Sequence, residues 1–234
     1  MVAVEVCVDG PEGLAAALRG GADRIEICQA LPVGGLTPSA GLMALAAGAG
    51  RPVHALIRPR AGDFRYTSPE GDAMCHDIAA ARAAGLQGLV LGALNDSSDL
   101  DLPLLRTLVR AAGEMSLTLS RAFDLVDDRD LALEQAIDLG FARILTSGGA
   151  PTAEAGLNAI AQLIDRARDR IVVLPAGGIT AANAARFVAA GAREVHASCS
   201  RRLPADPRLR AFGFAAEDQR ATDEGLVRAL KAAV

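Results

Sequence analysis

Eight short apolar runs, each closed by a cluster of Gly, Cys, Arg, Asp or Ser and followed by an Ala/Leu-rich stretch, recur along the chain. They are VAVEVCV (2–8), ADRIEIC (22–28), PVHALIRP (52–59), GLVLGAL (88–94), SLTLSRAFD (116–124), ARILTSGG (142–149), RIVVLPAGG (170–178) and EVHASCS (194–200). Strands alternating with helices in this way read as repeated βαβ units with right-handed crossovers, and eight such units close into a barrel. The expected fold is an α/β, TIM-like (β/α)8 barrel, with residues 1–234 forming a single domain. Barrels of this kind carry their chemistry at the C-terminal ends of the strands, so a residue's place along its run matters as much as its type.

The apolar positions within each run must pack against helices, which leaves the alternating polar positions to point inward. With Val4, Val6 and Val8 outside, Glu5 and Cys7 face in; with Ile25 and Ile27 outside, Glu26 and Cys28 face in. The third run turns His54, Leu56 and Arg58 inward, the fifth Thr118 and Ser120, and the eighth His196 and Ser198. Cys199, opposite in parity to His196, is expected to face the helix layer. An unpaired buried charge costs on the order of several kcal/mol, so Glu26 and Arg58, inward on adjacent strands, are expected to pair. If Arg58 keeps one carboxylate ionised while burial raises the other, Glu5 and Glu26 form a proton-transfer pair. Such a cluster near one barrel mouth points to a ligand site, the plainer alternative being an ion pair that ties strands together.

Composition narrows the partners. A net charge of −4 with no block of like charge indicates neither nucleic acid nor an acidic membrane surface. The one basic cluster, RRLPADPRLR (201–210), is expected to be a solvated loop, because Pro204 and Pro207 break a helix. No uninterrupted apolar run reaches about 18 residues and no charged-then-apolar leader opens the chain, so a soluble cytoplasmic protein is expected. Half the residues are apolar and there is no Trp, which suits helices packed through small residues.

Loops at the strand ends offer anion-binding chemistry. IRPRAGDFRY (57–66) carries Arg58 and Arg60, whose forked guanidinium groups suit carboxylate or phosphate, and Pro59 stiffens the backbone between them. SRAFD (120–124) adds Arg121 and Asp124. TSGGAPT (146–152) supplies Ser147, Gly148 and Gly149, and PAGGIT (175–180) supplies Gly177 and Gly178, each ahead of a helix expected to include Thr152 or Thr180 near its start. Paired glycines let backbone N–H groups approach an anion closely, although they also simply make tight turns. On the functional reading the chain is an enzyme for a small phosphorylated or carboxylated metabolite, with Glu26, Arg58, Arg121 and Asp124 as catalytic candidates.

Four cysteines, Cys7, Cys28, Cys75 and Cys199, lie far apart without a CxxC pair and read as reduced thiols. Cys7 and Cys28, inward on neighbouring strands at matching positions, bring two soft sulfurs together in a way that suits Cu(I) better than zinc, which asks for four ligands. Buried cysteines are also common core residues, and spacing alone favours that reading. Cys75 and His76 are adjacent in a helical stretch and point apart.

The segments EVCV (5–8), GADRIEIC (21–28), GGLTPS (34–39), PVHALIRPRAGDF (52–64), RAFD (121–124), RILTSGGAPT (143–152), PAGGI and EVHAS together resemble the CutC family, described as copper homeostasis proteins. The resemblance implies a TIM-like barrel, a cytosolic location, a role in copper binding or tolerance, and a homodimer or higher homo-oligomer. Cys7 and Cys28 fall where the family's proposed Cu(I)-binding cysteines lie. Two departures stand out: Ser120 occupies the place where the family commonly has His before RAFD, and PAGG replaces PGGG. A family activity that used that histidine as base or ligand would be absent or altered here.

Overall fold

The computed structural model describes residues 2–204, 206–214 and 219–234. Each apolar run contains one strand: β1 (Ala3–Val8), β2 (Arg24–Ile27), β3 (Val53–Leu56), β4 (Gly88–Leu91), β5 (Ser116–Leu119), β6 (Arg143–Thr146), β7 (Val172–Pro175) and β8 (Glu194–Ala197). All pair in parallel, in the order β7-β6-β5-β4-β3-β2-β1-β8, and β7 lies beside β8, so the sheet curls into a nearly closed barrel. The helices α1 (Pro11–Gly20), α2 (Ala40–Ala46), α3 (Ser68–Ala83), α4 (Leu102–Ala112), α5 (Arg129–Asp138), α6 (Leu157–Ala167) and α7 (Ala184–Ala189) alternate with the strands.

Local chemistry sets the helix ends. Ser39, Asp101 and Asp128 accept from the backbone N–H three residues on, and Thr67 with Glu70 forms a reciprocal capping box at the start of α3. The outward strand residues, Val4, Val6, Ile25, Ile27, Val53 and Ala55 among them, join the helix faces in one continuous core. Inside the barrel the described apolar side chains make only two small clusters, Cys28–Leu56–Val90 and Leu145–Leu174–Ala176. The inward space is otherwise polar.

The lower interior is an ion network. Arg24 pairs with Glu5 and Glu194, and Arg143 reaches Glu194 at 3.0 Å and Ser116 Oγ at 2.8 Å. These groups sit at strand starts, where Arg24 aligns with Glu5 across β1 and β2. Each buried charge meets an opposite one, which offsets its desolvation.

Two expectations about loops need correction. Thr152 and Thr180 lie in turns, since α6 begins only at Leu157 and α7 at Ala184. The described residues of 201–210 are largely exposed as expected but are not a plain loop: Ser200–Arg202 forms β9, antiparallel to β10 (Arg220–Thr222), and Pro207 opens a short helix α8 (Pro207–Ala211). Proline at a first helical position gives up only an N–H that has no intrahelical partner, so it starts this helix where an interior proline would break one. Ala205 of that segment lies outside the described residues. The last helix, α9 (Glu224–Ala232), packs against α1. No described helix is long and apolar enough to cross a membrane.

Candidate functional site at the barrel mouth

A cavity of about 370 Å³ opens at the C-terminal ends of the strands, walled by Cys7, Glu26, Ser120, Arg121, Gly177 and His196 among others. Strand register brings its floor together: Glu26 lies level with Cys7 on β1 and His54 on β3, and His196 lies level with Glu5.

The floor is an acid–base cluster. His196 Nδ1 is 2.7 Å from Glu5 Oε1 and 3.9 Å from Glu26 Oε2. Glu5 is fully buried; burial opposes its charge, but the Arg24 guanidinium, helped by His196, holds it well below the usual carboxylate range. Glu26 has no such partner. Burial pushes it up to about 7, a rise that His196 opposes and Glu5 reinforces, and its Oε2 has no hydrogen-bond partner among the described residues. Burial works against a protonated His196, yet the adjacent Cys7, then Glu5 and Glu26, outweigh it and raise its value. Glu26, at about 7, therefore holds a proton that is exchangeable near neutrality at the cavity wall, beside a His196 whose protonated form its neighbours favour.

Arg58 does not pair with Glu26. Its Nη1 donates to the carbonyls of Val33 at 2.8 Å and Gly35 at 3.0 Å, its Nη2 to Gly62 at 2.7 Å, and its plane lies over the Phe64 ring at 4.7 Å. Three carbonyls hold the two Nη groups above the barrel, while the buried Nε has no hydrogen-bond partner among the described residues, so Arg58 pins two loops together while lining the cavity. The task of keeping Glu5 ionised falls to Arg24, which sequence reading overlooked although parity with Glu26 marks it as inward. Arg60 stands outside the cavity, joined to Glu70 and Asp63 and stacked 5.5 Å from the Tyr66 ring.

The two Gly-Gly turns differ. Asp124 fills the first: its carboxylate accepts from Ser147 N at 2.9 Å, Gly149 N at 3.1 Å, Thr146 Oγ1 at 2.5 Å and Ser147 Oγ at 2.9 Å, and from Arg121 Nε at 2.7 Å. Gly148 N donates to Thr146 Oγ1. The second turn is open. The N–H groups of Gly177, Gly178 and Ile179 have no protein partner among the described residues, and all three residues line the cavity. Gly177 adopts φ 96°, and a Cβ there would stand 3.3 Å from Arg121 Cζ, so glycine lets this backbone lie against the guanidinium. Arg121 donates through Nε to Asp124 and through Nη2 to Ser147 Oγ, leaving Nη1 beside Gly177.

The cysteines are free thiols. Cys7 borders the cavity, but Cys28 sits two residues further along than Cys7's register partner, fully buried beside Leu56 and Val90, and donates to Val8 O. Burial pushes the Cys28 thiol up, and Cys7 adds to that rise. Cys199 packs into the helix-facing core as expected and lines the cavity as well, because its left-handed backbone, φ 44°, breaks the strand alternation. Burial raises it to about 12, with Cys7 contributing. Ser120, in the place of the resemblance's usual histidine, lines the cavity and accepts from Ala122 N.

The CutC family pattern matches residues 2–201. The chain belongs to the CutC family. A CutC family protein of Rhizobium meliloti is 52% identical over 233 residues, covering 99% of this chain and 95% of that protein, and one of Caulobacter vibrioides is 48% identical over 230 residues. A solved structure from Streptococcus agalactiae, described as a candidate copper homeostasis protein CutC, superposes with a TM-score of 0.81 at 30% identity, covering 85% of this chain and 99% of that one. A thiamine phosphate pyrophosphorylase from Pyrococcus furiosus, with a TM-score of 0.60 at 16% identity over 99% of this chain and 95% of that one, shares the fold alone. The name of the Streptococcus agalactiae protein attaches copper homeostasis to this family.

Proposed function

We propose that this CutC protein is an enzyme that binds a small phosphorylated or carboxylated metabolite at the barrel mouth and moves a proton on it. Arg121 Nη1 and the Gly177–Ile179 N–H groups take the anionic group, and Glu26 with His196 serves as acid and base. Asp124 acts as a positioning residue that orients Arg121, and Arg58 holds the loops of the mouth. The observation that carries the reading is the orphaned, buried Glu26 Oε2 in the same cavity as the open Gly177–Gly178 turn. An unpaired carboxylate oxygen at a cavity wall lacks the partner that a substrate proton supplies.

Thermal-shift screening of wild type and Arg121→Met against anionic metabolites tests binding. A ligand at a hundredfold excess over Kd raises the Tm of wild type by about 5–10 °C and leaves Arg121→Met unmoved. Exchange of solvent deuterium into that ligand, lost in Glu26→Gln, tests the chemistry. A broad panel that stabilises neither protein contradicts the proposal.

Cu(I) as a bound cargo is the second reading, supported by Cys7 at the cavity wall and by Cys28 just past the end of the neighbouring strand β2. Their soft donors fit Cu(I), at the cost of the Cys28 proton and its bond to Val8 O. A competitive Cu(I) titration in the soluble fraction, repeated with Cys7→Ser and Cys28→Ser, decides it: unchanged affinity in the double variant removes the site. Cytoplasmic residence and a homodimeric or larger assembly belong with this proposal.

A further inference from the structure

Cys7 is a free thiol at the cavity wall that the proposed proton transfer does not use. It stands on β1 two residues beyond Glu5, whose register partner is His196, so Cys7 and His196 are diagonal neighbours across the β1–β8 pair, and both line the cavity. Glu5 fixes that imidazole at 2.7 Å through Nδ1, and Arg24 fixes Glu5 in turn. Nucleophile, base and orienting carboxylate in sequence are the arrangement by which enzymes activate a thiol. Cys7 and His196 open onto the same cavity as Arg121 and the free N–H groups of the Gly177–Gly178 turn, and the unpartnered Glu26 Oε2, nine-tenths buried, faces the same space.

We propose that Cys7, His196 and Glu5 form a nucleophilic triad that adds reversibly to the carbonyl carbon of a small phosphorylated or carboxylated aldehyde or ketone. The inference rests on the anion-binding reading above and names the second functional group of that ligand. In the step, a bond forms between Cys7 Sγ and the carbonyl carbon, the C=O π pair moves to oxygen, and the thiol proton travels through His196 to that oxygen. The product is a thiohemiacetal, with no oxidant, reductant or co-reactant consumed. Glu26 then stands beside a carbon whose substituents are held at both ends.

Alkylation of the whole protein, followed site by site with mass spectrometry, tests the triad and the ligand class separately. Half-buried Cys75 on α3 is the internal reference. With neutral iodoacetamide, Cys7 is expected to react at least about tenfold faster than Cys75, and His196→Gln to slow Cys7 by about a hundredfold with Cys75 unchanged. A wild-type Cys7 no faster than Cys75 overturns the triad whatever the anion site does, and needs no variant to fold. Glycolaldehyde phosphate is expected to protect Cys7 at least about tenfold better than ethyl phosphate, which keeps the anion and lacks the carbonyl. Equal protection by the two overturns the carbonyl class and sustains the anion site. Fast alkylation of Cys7 with protection by neither compound sustains the triad and overturns the anion site.

Discussion

Arg121 and Asp124, three residues apart on one 3₁₀ turn (Arg121–Leu125), are joined from Nε to Oδ2 at 2.7 Å, and the pair divides the cavity rim into a filled anion cradle and an open one. Asp124 supplies the anion that the Ser147–Gly149 turn encloses, while Arg121 reaches past it to the Gly177–Gly178 turn. One turn serves the fold and the other is free for a ligand.

Asp124→Ala should therefore act first on stability. It strands the buried Ser147 N–H and Thr146 hydroxyl and returns the exposed Gly149 N–H to solvent, a loss of about 2–4 kcal/mol by urea denaturation. Arg121→Met should be nearly neutral in the same assay, because that side chain is 40% exposed, while abolishing anion binding. Equal destabilisation by the two changes would show that Arg121 is part of the scaffold.

Glu26→Gln tests the floor through pH. The folded-state value, about 7, lies above the ordinary 4.5, so the protonated form is the one folding favours. Its contribution is complete below pH 4.5 and is lost as pH rises through 7, because the unfolded chain then gives up its proton more readily. Denaturation from pH 4.5 to 8 should show this decline in wild type and a flatter profile in Glu26→Gln. Parallel profiles would mean that Glu26 is already charged at low pH.

His54 gives the opposite limb. Burial, the largest influence, pushes it down from 6.5 to about 4, and its Nδ1 has no hydrogen-bond partner among the described residues. Its contribution is present above pH 6.5 and is lost as pH falls towards 4, where the folded state resists a proton that the unfolded chain accepts. His54→Leu should reduce the loss of stability between pH 6.5 and 4.5, and an unaltered acid limb would contradict this.

Arg58→Met should cost about 2–4 kcal/mol by leaving the Val33, Gly35 and Gly62 carbonyls without their donor. Hydrogen exchange should speed up in residues 33–37 and 62–66 before the strands are affected. Unchanged protection there would show that the loops hold themselves.

The barrel was readable because strand alternation leaves little freedom: valines and isoleucines that must meet helices force Glu5, Cys7, Glu26 and His196 inward, and each is found inside. Partner choice was less readable. Glu26 and Arg58 share an interior, yet Arg58 stands beyond the strand end, where loop carbonyls reach it first, and Arg24 reaches Glu5 through a register that parity does not specify. The two Gly-Gly turns look alike in sequence, and only the three-dimensional position of Asp124 distinguishes them. The cavity contact of Cys199 escaped because a single left-handed residue ends the alternation on which its assignment depended.

The central claim is that the open turn beside Arg121 holds an anion. A crystal structure grown in inorganic phosphate tests it most directly. The account predicts a phosphate oxygen at hydrogen-bonding distance from Arg121 Nη1 and from at least one N–H of Gly177, Gly178 or Ile179, with the ion absent from Arg121→Met crystals. A turn that remains free of phosphate at saturating concentration, or one that keeps the ion without Arg121, would contradict it.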